Sequence, residues 1–188
     1  DRPMHPSTYA STTPDKPAII VAETGETISY AELDAASNRA AQLFRAHGLQ
    51  HEDVVAFMLE NTPHYYGLTW GAQRAGLRYV CISSRLTQDE TDYILENSGA
   101  KILIVSASLA PAALQLTTQI ERFSMGGDIS GWPKIEDELD RMPATRIADE
   151  RAGVDMLYSS GTTGRPKGVK VPLPEEPAID AANSLVML

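Results

Sequence analysis

At 188 residues, with 43% hydrophobic and 22% charged side chains, the chain is long enough to bury a core and has the composition of an ordinary soluble globular protein. A formal net charge of -9 disfavours nucleic acid and anionic membrane surfaces as general partners, so a polyanionic ligand has to be captured locally. No run of about 18 apolar residues occurs, Asp1 to Asp15 lacks the layout of a signal peptide, and the single cysteine, Cys81, excludes an internal disulfide. A cytoplasmic protein without a transmembrane segment is the expectation.

Residues 1–15, with Pro3, Pro6 and Pro14 among Ser and Thr, read as an extended lead-in. Residues 16–50 read as a hairpin plus a helix. Ala18–Ala22 and Thr27–Ser29 are strand-like around a turn containing Gly25, and Ser29 with Glu32 forms a capping box. Leu33, Ala36, Ala40, Leu43 and Phe44 then make one apolar helical face, which Gly48 ends.

From residue 51 to residue 171, strand and helix patterns alternate. Val54–Leu59 is an apolar run of strand length, and Thr62 with Pro63 predicts an N-cap and first helical position for a helix carrying Tyr65, Leu68, Ala72 and Ala75. Tyr79–Ile82 is the next predicted strand, Thr87 with Glu90 caps a helix closed by Gly99, and Lys101–Ser106 is a strand apolar enough to be covered on both faces. A helix is predicted over Ala112–Ile120, a short strand over Arg122–Met125, and a short amphipathic helix over Ile135, Leu139 and Met142. The expected fold class is α/β: a layered, largely parallel sheet flanked by helices.

The stretch Tyr158–Lys170 departs from this bland alternation. Gly161, Gly164 and Gly168 permit positive φ and close backbone approach, so that successive NH groups can line an anion-binding concavity. Ser159, Ser160, Thr162 and Thr163 add hydroxyl donors, and Lys167, stiffened by Pro166, adds a compact cation. This is not the Walker loop: Lys167 precedes Gly168, so the magnesium-binding hydroxyl after the lysine is missing. Strand-like residues flank the stretch, Val154–Tyr158 before it and Val169–Val171 after it. An ordinary hairpin connection is the alternative reading.

The stretch resembles the phosphate-loop signature of the adenylate-forming superfamily, which includes acyl-CoA and aryl-CoA synthetases, luciferases and the adenylation domains of peptide synthetases. The Ser-Tyr-Ala-Glu-Leu entry at Ser29 to Leu33 is similar to that family's opening helix. The resemblance implies an ATP-dependent reaction in which a carboxylate attacks the α-phosphorus to give an acyl-adenylate and pyrophosphate, followed by thioester formation with coenzyme A. It implies ATP, Mg2+ and coenzyme A as cofactors and co-substrates. It matches Ser159, Ser160, Gly161, Thr162, Thr163, Gly164, Lys167 and Gly168 to the nucleotide-binding loop, and it implies no metal ligand and no catalytic residue within this chain. The implied function is the N-terminal part of a fatty-acid CoA ligase whose activity needs the longer form. A non-catalytic nucleotide-binding or interaction module, or an enzyme loading a carrier protein, are the alternatives. Residues 172–188 read as a truncated tail, and an open sheet edge beside it predicts self-association.

Other residues invite lesser readings. His5, His47, His51 and His64 lack a metal-ligand spacing and read as surface or loop residues. Tyr65, Tyr66 and Trp70 read as core or interface rather than as walls of an acyl tunnel, and Cys81 reads as a small core residue. Met125–Asp128 reads as a plain turn rather than a second anion nest.

Overall fold

The computed structural model describes residues 5–159, 166–174 and 178–179. In chain order the elements are α1 (Pro6–Thr12), β1 (Pro17–Ile20), β2 (Thr27–Ser29), α2 (Tyr30–Ala46), β3 (Val54–Met58), α3 (Tyr65–Arg74), β4 (Arg78–Cys81) and α4 (Gln88–Ser98). They continue with β5 (Ala100–Ser106), α5 (Ala110–Ala113), β6 (Glu121–Met125), α6 (Ile135–Asp140), β7 (Val154–Ser159) and β8 (Lys167–Lys170). The protein is an α/β structure. Its main sheet has the order β6-β5-β3-β4-β7-β8, parallel throughout except for the last pair. The antiparallel hairpin β1-β2 stands apart from it.

Alternation along the strands divides the core in two. Val55 and Phe57 of β3, Tyr79 of β4 and Ile102 and Ile104 of β5 point toward Leu43 and Phe44 of α2 and Leu68 of α3. Val54, Ala56 and Met58, with Val80, Leu103 and Val105, pack instead with Ile94 and Leu95 of α4. Both faces of β3 are buried, which is why its sequence is apolar without interruption. Small residues set the spacing between α2 and α3: a Cβ on Gly71 would lie 2.4 Å from the Cβ of Ala40.

Both capping boxes form, Ser29 with Glu32 and Thr87 with Glu90. Three expectations are corrected. The lead-in is not extended: α1 occupies Pro6–Thr12, because Pro6 suits the first helical turn and the His5 side chain accepts the Ser7 NH at 3.1 Å. Thr62 does not cap α3, which starts at Tyr65; its hydroxyl accepts the His64 NH at 3.3 Å in the preceding turn. The helix predicted to run to Ile120 ends at Ala113. Asp92 of α4 accounts for the early stop, since its carboxylate accepts the NH groups and hydroxyls of both Thr117 and Thr118 at 2.7 to 3.1 Å and holds that backbone out of helix. Burial alone would raise the Asp92 carboxyl, but these donors outweigh it and hold the group down at about 2.

His5 is a further correction, being buried rather than on the surface. Its Nε2 lies 3.1 Å from Gln73 Oε1, and its ring meets Trp70 edge-on with centroids 4.9 Å apart. Burial, and then the nearby Arg74 guanidinium, depress its pKa from 6.5 to about 3. The unfolded chain therefore binds a proton below pH 6.5 that the folded chain refuses, and stability falls as pH drops from 6.5 toward 3. Between about pH 7.5 and 5.5 this linkage removes about 1.4 kcal/mol. Urea unfolding at both pH values is expected to show that loss in the native chain and a clearly smaller one in His5→Gln; identical pH dependences would refute the assignment.

Candidate functional site

The hairpin of β7 and β8 places Ser159, Lys167 and Gly168 of the predicted phosphate loop at the edge of the main sheet. Its register pairs Met156 with Lys170, Leu157 with Val169, Tyr158 with Gly168 and Ser159 with Lys167. Residues directly opposite share a face, so Ser159 and Lys167 lie together on the side that also carries Leu157 and Val169. All four of these residues are exposed. The other face rests on α4, where the Tyr158 hydroxyl donates to Asn97 Oδ1 at 2.8 Å.

That contact explains Gly168 in a way the sequence did not reveal. Gly168 has no left-handed φ; it sits in regular strand, and a Cβ there would lie 2.9 Å from Cζ of Tyr158 and 2.9 Å from Cε of Met156. The glycine makes room for the tyrosine ring to cross the strand pair and reach α4. Ser160, Gly161, Thr162, Thr163 and Gly164, the remaining loop residues named from sequence, lie outside the described residues.

The approach to β7 is fixed by a helix end. The C-terminal carbonyls of α3 lack intrahelical donors, and the incoming chain supplies them: Arg151 NH to Arg74 O at 3.1 Å, and Gly153 NH to Gln73 O at 2.6 Å. Gly153 has to be glycine for this contact, since a Cβ would fall 2.2 Å from Leu77 O. At the far end of the hairpin, Arg78 Nη1 of β4 donates to Val171 O at 2.6 Å. The strand pairing between β4 and β7 is short, Arg78 with Val154 and Tyr79 with Asp155, so these backbone contacts carry much of the positioning.

Beneath this junction lies a charged cluster that reading the sequence missed. Arg74 is fully buried, and its guanidinium meets Asp34 Oδ1 at 2.6 Å, Asn38 Oδ1, and Glu150 Oε1 at 3.3 Å. Gln73 beside it bridges His5 and, through Nε2, Ile179 O at 2.6 Å. The cluster ties α2 and α3 to the segment that enters β7. Asp34 and Asn38 are four apart on one helix face, yet only the packing of α3 against α2 brings Arg74 to them.

The electrostatics around the hairpin are asymmetric. A hollow of about 440 Å3 on the α4 side is lined by Asp89, Glu90, Asp92, Glu96 and Pro166. Carboxylates there repel phosphate, whereas the opposite face carries the Ser159 hydroxyl and the Lys167 ammonium, with Asp155 four residues from Ser159 along β7 on that same face. A hydroxyl opposite an ammonium is a donor set suited to phosphate oxygens. Among the described residues no group of His, Cys, Asp and Glu is arranged to hold a metal ion.

The other predicted candidates sort differently. Tyr65 and Tyr66 line a separate hollow of about 510 Å3 at the carboxyl ends of β3 and β4, together with Leu59, Ile82 and Cys81. Cys81 is exposed at the end of β4 rather than in the core. Desolvation of its thiol by this wall nevertheless pushes its pKa up, so it is held as a thiol and not as a nucleophile. The Met125–Asp128 segment is a turn closed by the protein itself, with the Gly126 NH given to Glu136 Oε1 at 2.6 Å.

Comparison with known proteins decides the family. The family model for AMP-binding enzyme matches residues 7–173. The chain belongs to the AMP-binding enzyme family. It is 32% identical over 165 residues to the fatty acid acyl-carrier-protein ligase ScoC of Streptomyces coeruleorubidus, an alignment covering 87% of this chain and 31% of that protein. It is 32% identical over 163 residues to a long-chain-fatty-acid CoA ligase of Mycobacterium tuberculosis, covering 85% of this chain and 32% of that one. The inhibitor-bound N-terminal domain of FACL13 from Mycobacterium tuberculosis superposes with a TM-score of 0.75 at 30% identity, over 88% of this chain and 42% of that structure. The chain thus spans about a third of the length of the curated relatives it matches. Among the described residues no helix of this AMP-binding protein is long and apolar enough to cross a membrane.

Proposed function

We propose that this AMP-binding chain is the N-terminal portion of an ATP-dependent carboxylic acid CoA ligase acting on a fatty acid. The observation that carries the reading is the pairing of Ser159 with Lys167 on the open face of the β7-β8 hairpin, in a chain of this family. The relatives named as fatty acid ligases supply the substrate class. Ser159 and Lys167, with Ser160, Thr162 and Thr163 and the glycines Gly161, Gly164 and Gly168, bind and orient the phosphates of ATP. Lys167 follows the negative charge that develops as pyrophosphate leaves. Mg2+ arrives bound to the nucleotide phosphates rather than to a cage in this chain. No general base is needed, because a carboxylic acid substrate is already ionised at neutral pH.

Coenzyme A is the proposed thiol acceptor and the cytoplasm the proposed location. A carrier protein is the second reading, favoured by the likeness to ScoC. Self-association through the open edge belongs to the same proposal, supported by the exposure of Leu157, Val169 and Val171 beside β8.

The test is acid-dependent exchange of pyrophosphate into ATP, run on this chain and on a longer natural form with fatty, aromatic and amino acids. Exchange with fatty acids in the longer form alone is expected. Absence of exchange with every acid in the longer form would leave a non-catalytic module, and exchange with amino acids alone would refute the substrate class. Supplying coenzyme A or a carrier protein afterwards identifies the thiol acceptor.

A further inference from the structure

The β7-β8 hairpin outruns the sheet that carries it. β7 extends from Val154 to Ser159, but its register with β4 ends at Asp155, and from Met156 to Ser159 it pairs with β8. A two-stranded ribbon is only marginally stable by itself, so the outer half of the hairpin, which carries Ser159 and Lys167, depends on contacts outside its own ladder.

Those contacts lie at its base and near its tip. At the base, Arg78 Nη1 donates to Val171 O at 2.6 Å, and Met156 is buried with Ile94 and Leu95 of α4. Nearer the tip, the Tyr158 ring packs against the same apolar cluster and its hydroxyl donates to Asn97 Oδ1 of α4 at 2.8 Å. Tyr158 precedes Ser159 in the chain and stands opposite Gly168, which follows Lys167. Strand alternation puts the ring on the α4 side and Ser159 with Lys167 on the other, so the seat of the ring sets how that pair is presented.

We infer that Asn97 and Tyr158 are a positioning pair for adenylate formation, whose hydrogen bond holds the outer hairpin so that Ser159 and Lys167 meet the nucleotide phosphates together. The pair acts through those two residues, and the inference rests on the adenylation reading of this hairpin.

Single-turnover adenylate formation in the longer form, compared among the native protein, Tyr158→Phe, Asn97→Ala and the double variant, tests it. Each single variant removes one side of the same hydrogen bond and keeps Ser159 and Lys167. A loss of about three- to tenfold is expected in each, the worth of one neutral hydrogen bond, and the double variant should be no slower than the slower single. The dissociation constant of the acid should stay within about twofold, because the hairpin serves the phosphates. Thermal unfolding establishes that every variant is folded at the assay temperature, so lowered stability alone would leave these rates unchanged. Native rates in both single variants, losses that multiply in the double variant, or acid binding that weakens as much as the rate would overturn this inference while the adenylation reading stands. A native longer form that makes no adenylate would overturn both.

Discussion

Lys167→Ala, placed in a longer form that carries out adenylation, is expected to slow adenylate formation by about 100-fold or more while leaving the dissociation constant of the acid within about threefold. The split follows from where the ammonium acts. Lys167 is exposed on the face of Ser159, and in the proposed reaction its charge matters most when pyrophosphate departs with added negative charge. An interaction made mainly in the transition state appears in the rate and not in ground-state binding of the other substrate. Single-turnover measurement of adenylate formation, beside equilibrium titration of the acid, separates the two. Equal losses in rate and acid binding would show that Lys167 holds structure rather than phosphate. Lys167→Arg should recover part of the rate, since it restores the charge but not the compact shape.

Arg74→Ala should destabilise the fold by about 3 to 5 kcal/mol in urea unfolding, a large share of the ~5 to 15 kcal/mol available to a domain. The guanidinium is fully buried and meets Asp34, Asn38 and Glu150 at once. Removing it leaves the Glu150 side chain, 9% exposed, paired with Arg146, and leaves the buried Asn38 Oδ1 without its donor. The buried Arg74 Nε lies within ion-pair distance of Glu150 but without hydrogen-bond alignment, so the pair is electrostatic rather than a directed bond. Arg74→Lys keeps the charge yet cannot fork to three partners, and should lose an intermediate amount. A loss below about 1 kcal/mol in Arg74→Ala would mean that the cluster is dispensable for stability. Because the Arg74 side chain also holds Glu150, the residue before Arg151 at the entry to β7, the same variant should loosen the hairpin that carries Ser159 and Lys167.

Where short-range rules govern, the sequence was legible. The capping boxes at Ser29 and Thr87 depend on residues three apart, and the glycine stops at Gly48, Gly76 and Gly99 depend on one backbone angle, positive in each. The unbroken apolar runs of β3 and β5 announced strands covered on both sides, which is what a parallel sheet between helices requires. The misread elements were those decided by a distant partner. Ala112–Ile120 has helical composition, but Asp92, some 25 residues earlier, takes the Thr117 and Thr118 donors that a helix would have used. Pro6 among Ser and Thr suggests an extended segment, although at the start of a helix its missing NH costs nothing.

The candidate site divides along the same line. The identity of the loop residues and their likeness to a nucleotide-binding signature are properties of consecutive residues, so the family and the chemistry to expect were readable without the fold. Pairing and packing set the rest: Ser159 stands opposite Lys167, Gly168 serves the Tyr158 ring, and Gly153 is pressed against Leu77. Packing alone brought Arg74 to Asp34, Asn38 and Glu150, because no local pattern encodes which charges will meet when two helices and a strand pack together. Local conformation is set by neighbours in sequence through sterics and hydrogen bonds of short reach. Burial, and the pKa shifts and pairings that follow from it, are set by whichever groups the completed fold places within a few ångströms.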